Sequence, residues 1–267
     1  AGGLAGDALT IGNDNVAIGV NSLGTDVAGS GSVAIGNVAL QDQNFTTATQ
    51  ALNTAVGRSA GRDITTGIQN TLIGGLAGDA LTDADENTAV GYAALSSDTL
   101  GDRSTAVGNG ALASQNFTTA TNADNVAVGH DAGASLTTGT LSTFVGASAG
   151  TAITTGNLNL AVGYASLATD TKGDRSVAVG PGALLTQNFT TNTDAYNTAV
   201  GYFVGDGITT GVKNTLVGGL AGDGLTDADD NVAVGTFALQ TDTLGSRTTA
   251  IGRGALGTQN FTTATNT

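Results

Sequence analysis

Polar and apolar residues alternate in a short phrase that returns along the whole chain. Asn87-Thr88-Ala89-Val90-Gly91 is repeated as Asn53-Thr54-Ala55-Val56-Gly57, and with substitutions as Ser32-Val33-Ala34-Ile35-Gly36 and Asn125-Val126-Ala127-Val128-Gly129. The closing glycine falls at Gly2, Gly19, Gly36, Gly57, Gly74, Gly91, Gly108, Gly129, Gly146, Gly163, Gly180, Gly201, Gly218, Gly235 and Gly252. The spacing is 17 residues, lengthened to 21 after Gly36, Gly108 and Gly180, so that a higher period of 72 emerges. A fixed period of this kind predicts a solenoid, in which each repeat is one coil stacked on the next. Alternation within the phrase predicts a short strand. Val or Ile one place before the glycine shares a face with the residue three before, and Ala two before shares the other face with the glycine. The expected fold is all-β: a single parallel β-solenoid over residues 1–267, about fifteen coils of 17 residues with a 21-residue coil every fourth. At about 4.8 Å per rung this would be a rod on the order of 70 Å long.

Other positions repeat in register. Four residues before the anchor glycine stands Asn, Ser or Thr, which predicts a polar ladder. One after it the residue varies freely (Tyr92, Asn109, His130, Ala147, Tyr164, Pro181), which predicts exposure. Four after it the chain has Leu or Gly, and seven after it Asp/Gln or Ile/Leu, and the choices are linked. Leu95 goes with Asp98 and Leu112 with Gln115, whereas Gly61 goes with Ile64 and Gly133 with Leu136. One core slot per coil, filled from either position, accounts for the linkage, since filling both overpacks and filling neither leaves a cavity. A glycine ten after the anchor, as at Gly67, Gly101, Gly139, Gly156 and Gly173, suggests a turn with positive φ. Five before successive anchors, Glu86, Arg103 and Asp124, and later Asp230 and Arg247, set each Arg one rung from an acid.

Composition narrows the class. Aromatic residues are only 4% and glycines number 42, so the core must be thin, while a patterned apolar fraction of 40% opposes disorder. A net charge of −14 disfavours nucleic acid as a partner. No apolar run approaches the ~18 residues of a membrane span, so no membrane insertion is expected in this segment. With no Cys there are neither disulfides nor thiolate sites. The Thr- and Asn-rich, Lys-poor repeats fit a secreted, cell-surface or virion-surface location. The absence of an initiator Met and of polar end caps suggests a fragment of an array that continues in both directions. A thin core also favours an oligomer. The face bearing Ala89 and Gly91 is the one expected to meet other chains.

The phrases Ser32–Gly36, Ser176-Val177-Ala178-Val179-Gly180 and Asn125–Gly129 resemble the head repeats of YadA-like trimeric autotransporter adhesins. Repeats similar to Asn87–Tyr92 also occur in phage tail-fibre proteins. The resemblance covers nearly every coil. It implies a left-handed parallel β-roll, a homotrimer or fibre self-association, and a role in surface adhesion. The longer coils and the regular 21-residue coil depart from that pattern.

Candidate chemistry is sparse. His130 is the only histidine, and Arg58 and Tyr202 stand at its place in other coils. The acidic turns Asp79/Asp83/Asp85 (with Glu86) and Asp223/Asp227/Asp229 (with Asp230) could hold calcium, a hard cation that prefers carboxylate oxygens. No calcium-loop motif is present, solvation is the simpler reading, and otherwise no cofactor is expected. Phe45, Phe117, Phe189 and Phe261 lie in the four long coils, each within Gln-Asn-Phe-Thr-Thr. They could contact a host-surface glycan or receptor with avidity, or fold back onto their own coil, which is preferred. No Ser/His/Asp set repeats, so the expectation is a non-enzymatic structural or adhesive extracellular fibre. The alternative is an ice- or crystal-surface binder, though Thr46, Thr47 and Thr49 recur only once in four coils. A hexapeptide-type acyltransferase would need its motif three times per coil, whereas Val90-Gly91-Tyr92-Ala93-Ala94 supplies it once.

Overall fold

A computed structural model describes residues 2–266. The chain forms two compact units, Ala1–Thr138 and Gly139–Thr267. Each is an all-β parallel solenoid. In the first unit the repeated phrase forms strands Val16–Ile18, Val33–Ile35, Thr54–Val56, Thr71–Ile73, Thr88–Val90, Thr105–Val107 and Val126–Val128. In the second it forms Thr143–Val145, Leu160–Val162, Val177–Val179, Thr198–Val200, Thr215–Val217, Val232–Val234 and Thr249–Ile251. Within each unit the strands pair in parallel with no slip: Thr71 lies over Thr88, Val90 over Val107, and Val177 over Thr198. The 21-residue coils keep register because their extra residues form a second short strand. Thr49–Gln50 pairs with Gly29–Ser30, Thr121–Asn122 with Gly101–Asp102, and Thr193–Asp194 with Gly173–Asp174.

The two faces of the main ladder are the reverse of the expected arrangement. Ala34, Ala55, Ala89, Ala106, Ala161 and Ala178 are fully buried, whereas Ile18, Ile73, Val128, Val200, Val217 and Ile251 are exposed. Alanine faces inward because the opposite wall already carries the large side chain, Leu at four after the anchor or Ile/Leu at seven after it. Leu95, Leu112, Ile64 and Leu81 are all fully buried. A coil this thin leaves space for a methyl group and little more. The Ala face therefore cannot meet another chain.

The single core slot is present, and the structure adds a reason for its two versions. Leu23, Leu95, Leu112 and Leu167 hold left-handed φ of 50–54°. That costs a non-glycine residue roughly 1–2 kcal/mol, which full burial of a Leu, worth about 1.5–3 kcal/mol, offsets. Gly61 and Gly78 take the same conformation at φ 56° and 54° without the cost. Their missing side chains are replaced from the strand: Leu72 lies over both, within 2.7 Å of where either Cβ would stand. Leu216 does the same for Gly205 and Gly222, and Phe144 covers Gly150. The three bulky exceptions in the Ala column are thus the partners of the glycine coils.

Two kinds of glycine must be distinguished. The anchor glycines from Gly19 to Gly252 have φ between 121° and 148°, which L side chains rarely adopt. A Cβ on Gly91 would also lie 2.4 Å from the Gly108 carbonyl oxygen. Gly91→Ala is expected to cost about 2–4 kcal/mol from strain and clash together, and amide hydrogen exchange at Gly91 and Gly108 should show the ladder opening there. The glycines ten after the anchor do not have positive φ at Gly67, Gly101, Gly156 and Gly173, contrary to expectation. They are required by space instead, since a Cβ at Gly67 would stand 2.4 Å from the Ala84 oxygen, and one at Gly101 2.2 Å from Asp98 Oδ2.

Candidate functional site

Most of the polar residues are consumed by stacking. The expected ladder four before the anchor is present: Asn53 Oδ1 accepts from Asn70 N (2.8 Å), Asn70 Oδ1 from Asn87 N (2.9 Å), and Asn87 Oδ1 from Ser104 N (2.8 Å). Each amide then donates within its own coil, as Asn70 Nδ2 does to the Ala84 oxygen at 2.7 Å. A threonine column eight after the anchor was not recognised from the sequence. Thr65 Oγ1 donates to the Thr82 oxygen (3.2 Å), Thr82 to Thr99 (3.0 Å), and Thr226 to Thr243 (3.0 Å). These hydroxyls staple one coil to the next.

Asp/Gln coils carry a buried polar network that the sequence pattern did not reveal. Gln115 Nε2 donates to Asp98 Oδ2 at 2.6 Å and to Ser104 Oγ at 2.9 Å, and Gln115 Oε1 accepts from Asn125 Nδ2 at 2.9 Å. Asp98 Oδ1 accepts from the Gly101 and Phe117 amides at 3.1 and 3.0 Å. Asp26/Gln43 and Asp170/Gln187 repeat the arrangement. The alternation of Asp and Gln in adjacent coils was the available signal, because a buried carboxylate needs donors and a Gln side chain stacked on it supplies one.

The candidate calcium ligands do not converge. Asp79 lies 3.6 Å from Arg62 Nη1. Asp83 Oδ1 accepts from Thr66 Oγ1 (2.6 Å) and Asp85 Oδ1 from the Ile68 amide (2.7 Å). In the second unit Asp227 and Asp229 make the same bonds with Thr210 and Val212, at 2.7 and 2.8 Å. Asp223 Oδ1 is buried without a partner. Among the described residues no three His, Cys, Asp or Glu side chains are grouped to hold a metal ion. Arg103 reaches Glu86 at 3.4 Å, but among the described residues no ion pair joins Arg247 to Asp230. His130 is exposed and lies 3.2 Å from Asp131.

The pKa values of six aspartates are raised, all chiefly by burial. In Asp170 hydrogen bonds from Gln187 and the backbone oppose the shift without cancelling it, while Asp206 has only the burial. Asp79, Asp85, Asp102 and Asp223 move the same way. A carboxyl with a raised folded-state pKa binds its proton more tightly folded than unfolded. Stability therefore falls as pH climbs from the ordinary value of 3.8 through the folded value, and is flat above it. Thermal unfolding followed by circular dichroism should give a higher melting temperature near pH ~4 than at neutrality.

The recurrent phenylalanines are not available as a contact surface. Phe45, Phe117 and Phe189 are buried, and Phe261 is half-buried. Each ring folds back over the glycine of the coil before it: a Cβ on Gly101 would stand 2.8 Å from Phe117 Cδ2, and one on Gly245 2.8 Å from Phe261 Cδ2. What projects from the long coils is mainly polar: Asn44, Thr46 and Thr47 beside Ala48, and their counterparts Asn116, Thr118 and Thr119 beside Ala120.

In each unit the outward face of the main ladder is apolar and has no partner within the coil. Val or Ile recurs there one place before each anchor from Gly19 to Gly252, 40% exposed at Ile73 and 37% at Val128, Val200 and Val217. Leu52, Leu141, Leu158 and Tyr196 extend it five before the anchor. Among the described residues no helix is long and apolar enough to cross a membrane. No family model, no curated protein and no solved structure matches the chain.

Proposed function

We propose that this chain is a segment of an extracellular structural or adhesive fibre, and that copies of it associate through the Val/Ile face of the ladder. The observation that carries this reading is the outward column itself. An outward Val or Ile at the same position of successive coils, with its strand neighbour (Ala, or Leu72, Phe144 and Leu216) turned inward, is a surface built to be covered. A second copy offers the matching period, because residues 17 apart lie one rung apart in both. The resemblance to trimeric adhesin heads and tail fibres suggests three copies and an adhesive role outside the cell. The bonding between coils supports a passive shaft, since threonine, asparagine and aspartate side chains are used to hold one coil to the next. Glycans or receptors on a host surface are the partners this role implies.

Light scattering tests the association. The native chain should run as an oligomer, and the triple variant Ile73→Glu, Val90→Glu, Val107→Glu as a monomer with unchanged circular dichroism. Each charge would otherwise be buried unpaired, at several kcal/mol. A monomeric native chain would remove the association from the proposal.

A further inference from the structure

We infer that the long coils are acceptors for N-linked glycosylation, with Asn44 as the foremost acceptor and Asn116, Asn188 and Asn260 as its equivalents. The inference rests on the extracellular reading above, since the modification belongs to exported chains. Asn followed two places later by Ser or Thr, with no Pro between, is the acceptor signal for this transfer. The chain has many asparagines, yet the signal occurs only at these four, each as Asn-Phe-Thr. The repeated phrase that supplies most of the others has Ala or Leu where a hydroxyl would be needed.

The geometry suits the chemistry. Asn44, Asn116 and Asn188 are exposed, as are Thr46, Thr118 and Thr190. The intervening Phe45, Phe117 and Phe189 are buried, so Asn and Thr are the residues of the signal that solvent reaches. Thr99 Oγ1 donates to Asn116 Oδ1 at 3.2 Å, and Thr171 to Asn188 at 3.1 Å. Both bonds engage the oxygen and leave Nδ2, the atom that is glycosylated, without a partner. At Asn44 the residue one coil below is Val27, so its whole carboxamide is free of such a bond. The Asn44 backbone N–H donates to Thr65, but Thr46, Thr47 and Ala48 donate no backbone hydrogen bond. The Phe45 amide donates to Asp26 Oδ1 at 3.1 Å, so the arch is held at its centre, and a transferase must release that one bond while the backbone of Thr46–Ala48 is free to follow. Asp42 lies two before Asn44, where the other copies have Ser114, Thr186 and Thr258. Asp42 thus gives Asn44 an acidic neighbour that the other three acceptors lack.

The donor is a glycosyl diphosphate polyprenol. Asn44 Nδ2 bonds to the sugar's C1, the C1–O bond breaks, polyprenyl diphosphate leaves with the electron pair, and one amide proton goes to a base on the transferase. The test is peptide mass spectrometry on the protein from its own cells or particles, with and without amidase release, alongside protease shaving of the intact cells or particles. Glycan on Asn44, returned as aspartate after release, supports the inference. Modification of Asn44 alone points to a transferase that needs Asp42, and modification of all four to one that does not. Thr46→Ala should abolish occupancy at Asn44 and Thr46→Ser preserve it, both with unchanged circular dichroism. A chain accessible to shaving with unmodified Asn44 overturns this inference and leaves the fibre reading intact. A chain that never reaches the outside overturns both.

Discussion

Asp98→Ala lowers the stability of the first unit by about 3–5 kcal/mol, the expected result of orphaning three buried donors at once. Asp98 accepts from Gln115 Nε2, Gly101 N and Phe117 N, and it is fully buried. No water reaches the site to replace the carboxylate. Asp98→Asn is also costly, although it keeps the shape. Its amide would face Gln115 Nε2, donor against donor. Turning the Gln115 amide over only moves the conflict to Asn125, whose Nδ2 donates to Gln115 Oε1 at 2.9 Å. Denaturant melts give the total loss. Hydrogen exchange at Gly101 and Phe117 locates it, and protection at those amides equal to that of the native chain would refute the argument. Because coils couple mainly to their neighbours, the damage should spread over the adjacent rungs before the rest.

Phe144→Ala in the second unit should cost about 3–5 kcal/mol, the range for emptying a large aromatic site in a core that cannot collapse. Phe144 is the largest fully buried side chain, and its ring takes the space that a side chain on Gly150 would use, 2.4 Å from that Cβ position. Phe144→Leu should cost much less, because Leu72 and Leu216 fill the equivalent place over Gly78 and Gly222. Gly150→Ala alone is destabilising. Combined with Phe144→Ala it should be less so than the sum, since the new methyl group enters the vacated space. Additive losses in that double-mutant cycle would show that strand and turn do not share one slot.

The period, the parallel stacking and the linked choice at four and seven after the anchor were all legible in the sequence. Each is a relation between positions in one coil or between identical positions in successive coils. The location of the four insertions was legible for the same reason. The buried Asp98–Gln115 pair was not. Charged and amide residues read as exposed until the donors around them are known, and those donors come from Gly101, Ser104, Phe117 and Asn125 in neighbouring turns.

Alternation within a strand separates two faces but does not say which one is inside. Here both faces carry apolar residues, Ala on one and Val or Ile on the other, so hydrophobicity alone points the wrong way. The tertiary structure decides it through the width of the coil. With Leu or Ile projecting from the opposite wall, a methyl fits beneath Ala89 and the larger Val90 must turn outward. The sequence by itself thus determined the repeat and its stacking, because these follow from chain periodicity. Only the packed coil determined the inside, the outside and the surface left to be covered, because these depend on what stands across the core.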